Sequence, residues 1–204
     1  AEAARHDFTA HMATHLLVGM IGPLLLVLAA PVTLALRTLP TAGARTVSAV
    51  LRSRPARVVT HPVVAAVLNG GGVWLLYATE LFELMHRSMA LHLLVHVHVL
   101  LAGIAFTVAM IGPDPNPHRA SLRVRATVLV VFIAAHSILA KWLYAHPRAG
   151  AQLMYYGGDV VDLAILILLF AGWYPGSRLR PRLLPGHPRE RRERRIPRAG
   201  QRLG

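Results

Sequence analysis

The chain has 204 residues, of which 54% are apolar and only 15% charged, with a mean hydropathy of +0.47. A soluble domain carries about 25% charged residues, so the composition excludes an ordinary water-soluble enzyme. Apolar runs rich in Leu, Val and Ala exclude disorder for most of the length. There is no Cys, which removes disulfide scaffolds, thiolate zinc sites, iron–sulfur clusters and Cys nucleophiles together.

A bilayer core about 30 Å thick needs about 20 mostly apolar residues per helix. Five segments qualify, and together they predict an all-α, polytopic membrane helix bundle. The first runs from Ala10 to Leu36, with kinks expected at Pro23 and Pro31. It is too long, and too poor in N-terminal basic residues, to read as a cleavable signal peptide. The second runs from Val63 to Leu84, the third from Ala90 to Ile111, the fourth from Ala126 to Ala145 and the fifth from Leu153 to Trp173. Pro40 to Gly43, Gly112 to Pro117 and His146-Pro147 separate them as turns. The connection over 41–60 reads either as an interfacial helix with a basic face or as a solvated loop. Residues 1–175 form the bundle in this reading, and 176–204 a basic, disordered tail with ten Arg and four Pro from Arg178 onward.

The positive residues set the expected orientation. Of 22 Lys and Arg, eighteen lie in the first connection, the third connection and the tail, whereas the N-terminus and the other two connections hold only Arg5, Arg87 and Arg148. The positive-inside rule then places the N-terminus outside and the C-terminus in the cytoplasm of a bacterial cell. The net charge of +13 thus marks one membrane side, where the tail suits anionic lipid or an acidic partner, rather than a nucleic-acid site.

Nine of the twelve His fall outside or in the outer part of spans: His6, His11, His15, His86, His92, His96, His98, His136 and His146. Ionisable groups within spans are costly and usually face a functional interior. His11 and His15 are four apart at the outer end of the first span, as are His92 and His96 at the outer end of the third. Residues at i and i+4 share a helix face, so each pair turns two imidazoles toward one point within roughly 10 Å of the boundary. Two facing pairs suit a metal, and two opposed His suit a haem. For any single His the plainer reading is an interfacial side chain bonded to water or backbone. Two residues on, His98 points to another face of its helix.

Met12, Met85, Met89 and Met154 lie near the same boundary. Thioether and imidazole without thiolate point to copper rather than zinc, and Met12, between the paired His, is the candidate auxiliary ligand. Singly, each Met reads equally as packing. Asp159 and Asp162 lie inside an apolar helix and need partners, with Lys141, His136 or a cation as the options. Glu80 and Glu83 end the second span. No phosphate loop, nucleotide-binding glycine pattern, nucleophile elbow or HExxH motif is present. Asn69-Gly70-Gly71-Gly72 reads as close helix packing.

The run Ala10-His11-Met12-Ala13-Thr14-His15-Leu16-Leu17, then Gly22-Pro23-Leu24-Leu25 and Ala30-Pro31-Val32-Thr33-Leu34-Ala35-Leu36-Arg37, resembles the AHMxxHLL segment and Pro-rich continuation of the Bacillus-type CtaG family, membrane assembly factors for cytochrome c oxidase. His61-Pro62-Val63-Val64-Ala65, Leu91-His92-Leu93-Leu94-Val95-His96 with Leu101-Ala102-Gly103, and Ala151-Gln152-Leu153-Met154-Tyr155 resemble its later helices. The likeness spans about 10–175. Family members carry about two helices upstream, which implies a short homologue or a trimmed chain. Gly150-Ala151 stands where the family has an acid before the last helix. The resemblance implies help in assembling the oxidase copper centre.

The expectation from residues and resemblance together is a copper-handling assembly factor without bond-making catalysis. It holds Cu(I) at the outer face through His11, His15, His92 and His96 with Met12, and passes it to an oxidase subunit. The alternatives are a haem-bearing redox protein, for which inner-side His61 and His118 are poorly placed at helix ends, and an accessory subunit of a respiratory complex.

Overall fold

A computed structural model of the chain describes residues 10–145 and 152–173. The tail, His6, His146, His187 and Arg148 lie outside the described residues. Those residues form helices α1 (Ala10–Thr38), α2 (Thr41–Leu51), α3 (Arg54–Val59), α4 (Pro62–Ala78), α5 (Leu81–Arg87), α6 (Met89–Ile111), α7 (Leu122–Ala145) and α8 (Leu153–Ala171). Among the described residues there is no strand. Helices α1, α6, α7 and α8 are each long and apolar enough to cross a membrane, and α4 with α5 makes a fifth span broken by an 80° bend. This is a multi-pass membrane protein. Where the sequence predicts helix or loop over 41–60, the structure has the two short helices α2 and α3.

Helix α6 is the central element. It packs against α1, α4, α5, α7 and α8, and its remaining apolar side chains, such as Leu93, Leu94 and Leu101, stay exposed, which suits a helix apolar all round in a membrane. At Gly103 its backbone meets α1. A methyl group there would overlap the Gly19 carbonyl oxygen and come within 2.9 Å of Pro23, so the smallest residue is what lets the two helices touch. Toward lipid the bundle presents large apolar side chains such as Leu25, Leu94 and Val131, as a hydrocarbon solvent allows.

Helix α1 kinks where Pro31 predicts it. The break falls at Ala30, whose φ of 50° is left-handed, and the chain restarts as a helix at Pro31. The restart exposes backbone donors, and Asp114 from the Gly112–Pro117 turn takes them. Its carboxylate accepts from Val32 N–H at 3.2 Å, Thr33 N–H at 2.7 Å and the Thr33 hydroxyl at 2.6 Å. At Pro23 there is no break; a π-turn over Leu17–Ile21 passes into α-helix at Gly22-Pro23. Two more π-turns, Val67–Gly71 and Leu153–Gly157, interrupt α4 and open α8.

The second predicted span, Val63 to Leu84, does not run through as one rod. It ends at Ala78, where Thr79 takes an extended backbone; the Thr79 hydroxyl donates to the Leu75 carbonyl at 2.6 Å and accepts from Leu81 N–H at 3.2 Å. One side chain thereby bonds both the last turn of α4 and the first residue of α5. The core divides in two: Met12, Val73, Leu76, Tyr77, Met85 and Met154 pack at the α5 end, and Phe106, Met110, Leu129, Ile165 and Leu169 toward the other.

Candidate metal centre

Three of the four predicted His line one cavity, and the fourth, His92, lies against His96. His11 and His15 of α1 and His96 of α6 line one small cavity of about 10 Å³ with Val18, Leu76, Val95 and Val99. The His11 and His96 ring centres are 5.9 Å apart. His92 stacks on His96 at 4.3 Å, the i,i+4 spacing acting as the sequence implied. His11 and His15 are buried, at 9% and 7% exposure, whereas His92 and His96 are half-buried.

The structure adds His86, which the pairing pattern does not single out. On α5 its ring lies 6.0 Å from His11 and 6.2 Å from His92. Phe82, one turn earlier, fills the space at 5.0 Å from His11 and 4.6 Å from His86. His86 arrives through the bend at Thr79 and the restart at Ser88, whose hydroxyl accepts from Leu91 N–H at 3.4 Å. The only sequence signal was its place six residues before His92, and spacing across a helix break does not determine direction.

Ring orientation is set by the backbone. His86 Nδ1 lies 2.7 Å from the Phe82 carbonyl and His96 Nδ1 lies 2.9 Å from the His92 carbonyl. A carbonyl only accepts, so each Nδ1 carries the proton and Nε2 keeps its lone pair for a ligand, the usual outer arrangement of a metal-binding His. Metal–nitrogen distances of about 2 Å put two imidazole centres on one ion about 5–6 Å apart, and the His11–His96 and His11–His86 separations fit that. Among the described residues, no three His, Asp or Glu side chains converge on one point at ligand distance. The geometry is one of imidazole pairs, suited to an ion that takes two nitrogens.

Met12 stands apart from this cavity. It is 1% exposed, packs in the core with Met85 and Met154, and its sulfur lies 3.8 Å from the Tyr77 hydroxyl. Met89 is 83% exposed. His98 takes another face, as expected, with Nε2 3.1 Å from the Leu68 carbonyl of α4. Of the options for the acids in α8, Asp162 pairs with His136 at 2.8 Å, and Asp159 accepts from the Ser137 hydroxyl at 3.4 Å. Glu80, Glu83 and Lys141 are exposed.

A protein of Mycobacterium bovis and one of Mycobacterium tuberculosis, both described as uncharacterized, are 37% identical to the chain over 137 residues, 64% of this chain and 21% of theirs. A Mycobacterium leprae protein with the same description is 35% identical over 137 residues. The chain therefore spans about a fifth of the length of these relatives. No solved structure matches it. Residues 1–175 match the family described as cytochrome c oxidase caa3 assembly factor; with most of its length covered, and with the resemblance carried by the His-bearing start of α1, the chain belongs to that family.

Proposed function

We propose that the chain is a copper-handling assembly factor for a cytochrome c oxidase, holding Cu(I) at the outer membrane face and passing it to an oxidase subunit. The ligands are drawn two at a time from the imidazoles of His11, His15, His92 and His96, with His86 joining them across the α5 bend. The observation that carries this reading is the meeting of His11 with His96 and His86 at 5.9 and 6.0 Å, with Nδ1 of both partners committed to backbone carbonyls. Neutral nitrogen donors without thiolate suit copper. Shared imidazole pairs let an ion move by exchange of one ligand at a time, so the reading assigns no bond-making reaction. Met12 enters only as an auxiliary ligand, reached by a rotamer change away from Tyr77.

Metal analysis of the detergent-purified full chain tests the proposal. Wild type is expected to retain copper and the His11→Ala/His96→Ala variant to lose most of it. Equal copper in both, or a Soret band without copper, overturns the reading, the latter in favour of haem.

A further inference from the structure

Between Arg37 and Arg57 the chain carries five Arg, and from Ala10 to Thr79 it has no Asp or Glu. We propose that this stretch, helices α2 and α3 with the end of α1, is a seat for anionic phospholipid headgroups. It follows the end of α1, whereas the His cluster sits at the start of that helix, so the proposal is independent of copper.

Arg37, Arg45, Arg52, Arg54 and Arg57 are all exposed, and among the described residues none of them makes a hydrogen bond or an ion pair. The other basic connection differs. There Arg119 donates to the carbonyls of Gly112 and Asp114, and Arg125 donates to that of Met110 at 2.6 Å, which satisfies the carbonyls left over at the end of α6. The carboxylate of that connection, Asp114, is already held by Val32 and Thr33. The five Arg of 37–57 therefore have no counter-charge within the described protein, and their donors remain for something outside it.

Apolar side chains share the same surface. Neither α2 nor α3 has a buried residue, and Leu39, Val50, Val58 and Val59 are exposed, Val50 by 61%. On α2 the half-buried residues Ala44, Val47 and Leu51 follow one face, while Arg45, Ala49 and Arg52 follow the exposed one, each set at the i, i+3 or i+4, i+7 spacing of a single helix face. Cations interleaved with apolar side chains are what a helix lying in the membrane interface presents. The position agrees. The segment is tied at Thr38 to the end of one span and at Pro62 to the start of the next, which holds it at headgroup depth. Water would solvate the Arg but not the valines. A leaflet meets both demands, because lipid phosphates accept the guanidinium fork bidentately and the acyl boundary takes the apolar side chains.

The test places the full chain in nanodiscs, one copy per disc, with a nitroxide at Val50→Cys, a clean site in a chain without native Cys. Discs of phosphatidylcholine alone are compared with discs that also contain phosphatidylglycerol. The accessibility of the label to a water-soluble nickel relaxant is expected to fall several-fold in the anionic discs, and high salt is expected to restore it. An Arg near an anionic leaflet strengthens association by about fivefold, so Arg45→Gln/Arg52→Gln/Arg57→Gln is expected to abolish the difference between discs. A label at Leu94→Cys, exposed on α6, is expected to read the same in that variant and so to show the bundle intact; the salt arm makes the same test without changing any Arg. Equal, high accessibility in both kinds of disc overturns the proposal in favour of a solvated connection. Low accessibility in both, unmoved by salt or by the Gln substitutions, overturns it in favour of burial that does not depend on charge.

Discussion

Asp114 acts more than eighty positions away from its own place in the chain, as the cap of the helix that restarts at Pro31. Removing a capping carboxylate costs about 1–2 kcal/mol. Asp114→Ala is therefore expected to lower the thermal unfolding midpoint in detergent, with Asp114→Asn keeping most of the stability; unchanged midpoints in both would show that the three bonds contribute nothing. The residue scale also shows the limits of pattern. The pairs His11/His15 and His92/His96 were legible because i,i+4 spacing determines a shared face whatever the helix packs against. His86 was not, because its direction depends on the angle between α5 and α6. Asp162 was legible as a residue in need of a partner, but three candidates stood open, and only the packing of α7 against α8 selected His136.

At the scale of the element, hydropathy located the spans and missed a hinge. Apolar residues continue from Val63 to Leu84, so composition alone extends the helix through Thr79. The chain instead breaks at Thr79, whose hydroxyl bonds the Leu75 carbonyl and the Leu81 N–H across the bend, as a Thr that competes with the backbone can. Thr79→Val keeps the shape and removes both bonds, at an expected cost of about 1 kcal/mol. With spin labels at Leu84→Cys and Leu94→Cys, clean in a chain without native Cys, the distance distribution between α5 and α6 is expected to broaden in Thr79→Val. Copper affinity is expected to fall with it, because His86 rides on α5. An unchanged, narrow distribution would assign the bend to packing instead.

For the whole molecule, the distribution of charge predicts one orientation. Eighteen of 22 basic residues lie in the first connection, the third connection and the tail, and the positive-inside rule places those on the cytoplasmic side. Protease added to sealed, right-side-out cells is expected to spare the segment after Ser177 and, in inverted vesicles, to cut there first. Cleavage in intact cells would reverse the orientation and move the His cluster to the cytoplasmic face. The fold supports one part of the argument directly: the Asp114 cap ties the start of Pro31–Thr38 to the third connection, so the two described basic connections lie at the same end of the bundle.

The all-helical, membrane-spanning character of this protein followed from its sequence alone, because the cost of burying backbone polar groups in hydrocarbon leaves a long apolar run little choice but to form a helix. The shared helix face of each His pair followed too, since residues four apart lie one turn above each other. What the tertiary structure alone decided is which side chains from different helices meet. His86 joins His11 through the bend at Thr79, Met12 turns into the core beside Tyr77, and His15 is shared between two cavities. Each of these depends on the angle and rotation of one helix against another, set by close contacts such as Gly103 on Gly19, and a one-dimensional pattern does not carry such angles.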